Sequence, residues 1–255
     1  MRARKRFGQH FLNDAGVLDR LVAALNLAPE DRLLEIGPGR GALTERLYGH
    51  TAEFRAVEID RDLVPLLKAR FPELKLVCDD VLRVNLADLL QGQPHRVVGN
   101  LPYNISTPLL ERLFALGPLL IDAHLMLQKE VADRLVAEPR SKAYGRLSVA
   151  AQVRSEIYML FEVAPSAFSP PPAVDSAIIA LRPRPQCPAP VELAALDAVL
   201  RQAFQQRRKR LGNALKTYAV PWESLGLDPE LRPDQLDVDA YLSLAIWSLS
   251  REPLE

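Results

Sequence analysis

Short apolar runs alternate with helical patterns along most of this 255-residue chain. That alternation leaves few folds open, because each strand must be followed by a helix that crosses back to start the next one. The architecture it predicts is α/β, a parallel sheet wrapped by helices. Strand candidates are Arg32–Ile36, Phe54–Ile59, Lys75–Cys78, Arg96–Gly99, His124–Gln128, Met159–Val163 and Ser176–Leu181. Between them, 14–26 places Val17, Leu18, Leu21, Val22 and Leu25 on one helical face. Thr107-Pro108 reads as an N-cap followed by proline at the first helical position. Residues 129–138 and 146–156 are further helix candidates. Four prolines between Arg182 and Pro190 read as a linker. Beyond them the pattern is helical only, over 191–210, 211–218 and 241–249. The expected division is therefore one α/β domain over 1–185 and a small all-helical domain over 186–255.

Charge is balanced, with 32 basic and 32 acidic side chains, but it is not evenly spread. Residues 1–10 hold Arg2, Arg4, Lys5 and Arg6 with no acid, and residues 201–216 hold Arg201, Arg207, Arg208, Lys209, Arg210 and Lys216, again with none. Setting those ten aside leaves 22 basic against 32 acidic side chains, a net −10. An acidic body with two basic patches suits docking on phosphate at chosen places. Arg207, Arg208, Lys209 and Arg210 are the candidate RNA contacts, against the alternative of a solvated helix face. No apolar run is long enough for a membrane span, and the first residues lack the apolar core of a signal peptide. Cys78 and Cys187 form no disulfide framework, and with four scattered histidines they supply no metal-ligand spacing. The expectation is a cytoplasmic protein without a metal, with a monomer as the default state.

Glu35-Ile-Gly37-Pro-Gly39-Arg-Gly41 leaves a strand candidate and leads toward a helix. Its glycines permit positive φ and close approach of backbone to a ligand. The spacing Gly37-x-Gly39-x-x-Ala42 also fits a dinucleotide fingerprint. Charge separates the two readings. A dinucleotide brings a pyrophosphate, whereas S-adenosylmethionine brings a cation and no phosphate. Glu35 precedes the first glycine, and Glu58, Asp79 and Asp80 end the next two strands. This acidic ring favours the sulfonium cofactor, with Glu58 facing its ribose and Asp80 its adenine amino group. Asp60 reads as a loop acid.

Asn100-Leu101-Pro102-Tyr103 closes the strand candidate 96–99. Asn-x-Pro-aromatic at a strand end suits the grip of an exocyclic amino group on a flat ring. The Asn oxygen accepts one N–H and the Leu101 carbonyl the other. Pro102 fixes φ and has no N–H, and Tyr103 offers a face on which a base stacks. The alternative is an ordinary turn, since Asn and Pro are common turn formers.

Taken in order, these pieces resemble the rRNA adenine N6-dimethyltransferases of the KsgA type, and the similarity runs nearly end to end. It begins with Phe7-Gly-Gln-His-Phe-Leu12 and continues through Glu35-Ile-Gly-Pro-Gly, Val57-Glu-Ile-Asp and Asn100-Leu-Pro-Tyr-Asn-Ile-Ser106. It includes Phe168-x-Pro170-x-Pro172-x-Val174-Asp-Ser176 and closes with Phe204-x-x-Arg207-Arg-Lys-Arg-Leu211-x-Asn213-x-Leu215. His10 departs from the pattern, since the family usually has Asn there. The resemblance implies a class I S-adenosylmethionine-dependent methyltransferase fold (Rossmann-like), a seven-stranded sheet with its last strand antiparallel, and a helical C-terminal domain. It implies methyl transfer to two adjacent adenines in the 3′-terminal hairpin loop of 16S rRNA in the small ribosomal subunit, with a role in subunit biogenesis. It carries cofactor contacts to His10, Leu12, Gly37, Glu58, Asp80 and Asn100, with Gly39 in the same glycine loop. It carries target-base contacts to Asn100, Leu101, Tyr103 and Phe168, the last with a plain core role as its alternative.

Three other readings share parts of this pattern. An Erm-type methyltransferase, acting on one adenine of large-subunit rRNA, shares the catalytic half, but the Arg-Arg-Lys-Arg-Leu-x-Asn segment and helical C-terminus favour the small-subunit enzyme. A non-catalytic nucleic-acid binder on the same scaffold is disfavoured by the acids and the Asn-Leu-Pro-Tyr stretch. A dinucleotide oxidoreductase is disfavoured by the acidic ring.

Overall fold

The computed structural model describes residues 9–250. Nine strands are formed among the described residues: β1 (Phe11–Leu12), β2 (Arg32–Ile36), β3 (Glu53–Glu58), β4 (Lys75–Cys78), β5 (His95–Asn100), β6 (Leu120–Gln128), β7 (Ser155–Val163), β8 (Phe168–Ser169) and β9 (Ser176–Pro183). Ten α-helices accompany them among the described residues: α1 (Ala15–Leu25), α2 (Thr44–Leu47), α3 (Val64–Arg70), α4 (Leu86–Leu89), α5 (Ser106–Phe114), α6 (Lys129–Leu135), α7 (Arg146–Gln152), α8 (Pro190–Gln205), α9 (Leu211–Ala214) and α10 (Val238–Leu249).

Seven strands make one sheet in the order β4-β3-β2-β5-β6-β9-β7. The pairs from β4 through β6 are parallel, and β9 runs antiparallel to β6. This is the architecture that the resemblance implies, a seven-stranded sheet with its last strand antiparallel. The order reverses between β2 and β5: β2 is followed outward by β3 and β4, β5 by β6. At such a switch point the crossover helices leave in opposite directions, and a crevice opens beyond the carboxyl ends of the two strands. Gly37 follows β2 and Asn100 ends β5, so the two motifs of the sequence meet there.

Local chemistry explains the helix that precedes the sheet. Asp14 caps α1 by accepting from Val17 N at 2.9 Å. Asn26 ends it in the left-handed region at φ 45°, a conformation asparagine tolerates. Leu18, Leu21 and Leu25 point into the core with Leu33, Phe54 and Leu67. A small second sheet pairs β1 with β8, Phe11 opposite Ser169 and Leu12 opposite Phe168.

Two local expectations are corrected. Thr107 does not cap α5; the helix begins at Ser106 after a 3-10 turn over Tyr103–Ile105, with no side-chain cap. Pro108 still lies in the first turn, where its missing N–H costs nothing. Ser155 and Glu156 belong to β7 rather than to a helix. Exposure alternates along that strand from Glu156 to Glu162, the period of a pleated strand carrying β-formers Ile157, Tyr158 and Phe161.

The chain packs as two compact units. One holds the described residues through Ala132 together with Tyr158–Pro183; the other holds Asp133–Ile157 and the described residues from Arg184. The sequence suggested a single cut at 185, whereas the packing also assigns 133–157 to the helical unit. Within that unit Tyr144, Val149 and Val153 share one core with Leu196, Leu200, Leu215 and Tyr241. The two buried tyrosines are satisfied by main-chain carbonyls: Tyr144 Oη donates to Leu236 O at 2.9 Å and Tyr241 Oη to Pro233 O at 2.7 Å. No helix among the described residues is long and apolar enough to cross a membrane.

Candidate functional site

A cavity of about 340 Å³ lies at the carboxyl ends of β2 to β5, within the size range of small-molecule sites. Each of the four strands contributes at its end. Ile36 and Gly37 come from β2, Glu58 and Ile59 from β3, Asp79 and Asp80 from β4, and Asn100 through Tyr103 from β5. Gln9, His10 and Phe11 form a further wall.

The glycine loop is shaped by its conformation. Gly37 and Gly39 have φ of 69° and 58°, where a side chain is strained. A Cβ on Gly39 would also stand 3.0 Å from the Phe11 ring. Gly37 N donates to Val57 O at 2.9 Å, fixing the loop to the neighbouring strand. Glu58 ties down the rest. One carboxylate oxygen accepts from Gly39 N at 2.9 Å and the other from Asp60 N at 2.8 Å. Burial holds the Glu58 carboxyl above the ordinary range, with the nearby Asp60 adding to the rise and the backbone donors opposing it. A third backbone bond, from Ile59, adds to these two. Asp80 is half-buried and accepts from Leu82 N at 2.9 Å, which aims the loop after β4.

Glu35 departs from the expected ring. It is 2% exposed, takes the Thr44 hydroxyl at 2.7 Å, and lines a smaller adjoining cavity of about 40 Å³. Burial raises its pKa to about 8, the Glu58 charge adding and the Thr44 bond opposing. It is therefore largely neutral near pH 7, and the ring reduces to Glu58, Asp79 and Asp80. The cavity lining among the described residues contains no lysine or arginine. A pyrophosphate finds no lysine or arginine there, whereas a sulfonium ligand finds carboxylates. The residues present fit S-adenosylmethionine.

Asn100 is oriented by a contact remote in sequence. Its Nδ2 donates to the His10 main-chain carbonyl at 2.8 Å. A carbonyl only accepts, so the amide must turn its nitrogen that way, which leaves Oδ1 as the end available to a ligand. Leu101 is held by its N–H to Met126 O at 3.1 Å. Tyr103 is half-buried, and its hydroxyl lies 2.7 Å from Ser176 Oγ at the start of β9. Burial moves the Tyr103 phenol upward, the Ser176 hydrogen bond opposing and the Asp175 charge adding. An acceptor, a pinned backbone and a fixed aromatic ring thus border one cavity.

The sequence model of the family described as "Ribosomal RNA adenine dimethylase" matches residues 1–246. The chain belongs to this family. It is 49% identical over 251 residues to "Ribosomal RNA small subunit methyltransferase A" of Pseudomonas aeruginosa, covering 96% of this chain and 94% of that one. It is 47% identical over 254 residues to the protein of the same name from Yersinia enterocolitica, covering 96% and 93%. Among solved structures, a dimethyladenosine transferase from Plasmodium falciparum matches with a TM-score of 0.81 at 27% identity, covering 92% of this chain and 96% of that one. The 23S rRNA methyltransferase ErmE matches with a TM-score of 0.74 at 24% identity, covering 94% and 100%, a likeness of fold.

Not every residue expected in the site of this dimethylase-family chain lies at the main cavity. His10, Gly37, Gly39, Glu58, Asp80, Asn100, Leu101, Pro102 and Tyr103 do. Leu12 is buried and lines the smaller cavity instead. Phe168 is 4% exposed, packs in the core with Leu12, and lies outside the cavity lining, so its described place is the plain core alternative. The basic segment is altered by partners that sequence windows cannot see. Arg207 lies 3.4 Å from Asp234 and donates to Lys142 O at 2.8 Å, and Arg210 pairs with Glu230. Arg208 and Lys209 are exposed. Arg2, Arg4, Lys5, Arg6 and the opening Phe7-Gly8 of the first motif lie outside the described residues.

Three contributions were missed in the sequence. Ser176 and the His10 carbonyl act through tertiary contacts for which local sequence holds no signal. Gly99 did carry one: a glycine inside a strand marks close backbone approach. A Cβ there would stand 2.7 Å from Ile36 O.

Proposed function

We propose that this chain transfers methyl groups from S-adenosylmethionine to N6 of two adjacent adenines in the 3′-terminal hairpin loop of 16S rRNA, acting in the cytoplasm on the small ribosomal subunit during its biogenesis. The observation that carries the reading is the oriented Asn100 amide, its oxygen left for a ligand at the mouth of a carboxylate-lined cavity beside Tyr103. Family membership and the names of the relatives from Pseudomonas aeruginosa and Yersinia enterocolitica support the substrate.

Gly37, Gly39, Glu58 and Asp80 would hold the cofactor, which when bound supplies a methyl group on a positively charged sulfur. The chain's task is to prepare the nucleophile. The adenine amino nitrogen is poor because its lone pair is delocalised into the ring. Asn100 Oδ1 and the Leu101 carbonyl accept its two hydrogens and draw the nitrogen toward a tetrahedral geometry, which localises the lone pair. This is catalysis by positioning and electrostatics. No dedicated base is needed, since the methylated ammonium is a strong acid and sheds its proton readily. The target base must leave its stack at a cost of a few kcal/mol. Stacking on Tyr103 returns roughly 1–3 kcal/mol. Arg208 and Lys209, exposed in the helical unit, supply phosphate contacts.

The test is mass spectrometry of rRNA from undermodified small subunits incubated with cofactor and either wild-type chain or Asn100→Ala. Dimethylated adenines with wild type and none with the variant, at retained cofactor binding, are expected. Unchanged turnover in the variant would remove the assignment.

A further inference from the structure

The segment that leads into α1 is strapped down along the loop around β8. Phe11 and Leu12 pair with Ser169 and Phe168, and the N–H groups of Asn13 and Asp14 both reach Ala167 O, at 3.0 and 3.3 Å. Leu12 and Phe168 are buried in one core. His10 directly precedes this pairing and touches three groups, Asn100 and Tyr103 of the cavity and Pro170 beside β8. Its carbonyl accepts from Asn100 Nδ2 at 2.8 Å. Its Nδ1 lies 2.8 Å from Pro170 O. Its ring stacks on Tyr103 with 5.9 Å between centroids and 23° between planes. Pro170 O only accepts, so Nδ1 carries the hydrogen, which fixes the tautomer of the neutral ring.

From this juxtaposition we infer that His10 is a positioning residue for methyl transfer: its imidazole locks the strap to Pro170, and the strap holds the carbonyl that orients Asn100. The inference rests on the proposed function of the same site and adds a role distinct from cofactor contact. Asn100 has no local reason to choose one amide orientation, because nitrogen and oxygen ends are nearly equal in shape. The His10 carbonyl makes the choice. A ring held over Tyr103 also limits how far the stacking surface swings. Asparagine at position 10 can donate through its own amide to Pro170 O, so it keeps the lock but loses the ring contact.

The test uses the full chain as wild type, His10→Ala and His10→Asn. Steady-state kinetics on undermodified small subunits give kcat and KM, calorimetry gives S-adenosylmethionine affinity, and thermal melting checks the fold. A readout independent of turnover is the side-chain NH2 resonance of Asn100 by NMR, whose exchange with water reports the bond to the His10 carbonyl. His10→Ala is expected to lower kcat by about 10- to 100-fold, the scale of a misplacement near 1 Å, with cofactor affinity kept and faster Asn100 amide exchange. His10→Asn is expected to restore most of kcat and the slow exchange. A His10→Ala defect that falls wholly on cofactor affinity, or an Asn100 amide that exchanges as in wild type, would overturn the inference. Asn100→Asp provides a second arm: it keeps acceptor oxygens but loses the donor, and wild-type kcat in it would also overturn the role. If wild-type chain left small subunits unmethylated, the function reading would fall, while the amide exchange would still decide whether His10 holds Asn100.

Discussion

Replacing Glu35 by glutamine isolates the most perturbed carboxyl of the α/β unit. The side chain is 2% exposed at the end of β2, and burial raises its pKa from an ordinary 4.5 to about 8. Between those values the folded chain keeps a proton that the unfolded chain has released, so the unfolded state binds fewer protons and stability falls as pH rises. The contribution is fully present below about pH 4.5 and is lost by about pH 8. At about 1.4 kcal/mol per unit, the shift corresponds to a loss of ~5 kcal/mol across that window. Glutamine has nearly the same shape, accepts from Thr44 as the acid does, and carries no charge at any pH. The assay is urea unfolding of both proteins at intervals from about pH 5 to about pH 8.5, plotted as the difference in stability so that other titrating groups cancel. The variant should gain on wild type steadily as pH rises, by several kcal/mol at the alkaline end. A difference that stays flat with pH would refute a buried neutral acid at this position.

Arg96 donates twice to Asp122, at 2.9 and 2.7 Å, and once to Asp31 at 2.9 Å, with its side chain 12% exposed. Arg96→Ala leaves Asp122 buried without its partner and should cost about 3–5 kcal/mol in urea unfolding; a loss under about 1 kcal/mol would show the network to be solvated. Gly99→Ala forces a methyl against Ile36 O, 2.7 Å away, and is expected to destabilise by about 1–3 kcal/mol and to weaken cofactor binding through the adjacent Asn100; melting and calorimetry check both, and wild-type values in each would contradict the close approach. Neutralising Arg208 and Lys209 together should reduce the slope of log affinity against log salt for rRNA by about 1.5, at roughly 0.7–0.9 per phosphate contact. An unaltered slope in filter binding would mean that these two charges only face water.

The strands and their ends were legible because their cause is local. Val97 and Val98 are apolar and β-prone, Gly37 and Gly39 permit positive φ, and Asp14 caps whatever helix follows it. The expected segments 32–36 and 75–78 coincide with β2 and β4. Elsewhere a distant group changes the surroundings that the local signal suggests. The basic run at 207–210 has no acid within its own window, yet folding brings Asp234 and Glu230 to two of its members. Residues 133–157 look like part of the α/β succession, but their apolar side chains find their core among helices formed some fifty residues later. Phe168 sits in a loop that reads as functional, and pairing of β8 with β1 turns it into the core.

Residue types and spacing alone settled the α/β succession, the glycine loop, the acids at strand ends and the amide-proline-aromatic turn, because each depends on backbone freedom or charge within a few positions. Tertiary structure decided which atoms those groups present. It neutralised Glu35 by burying it, and it turned the oxygen of Asn100 outward through a carbonyl ninety positions earlier. The physical reason is that protonation and amide orientation depend on what surrounds a group in space, and those neighbours come from remote parts of the chain.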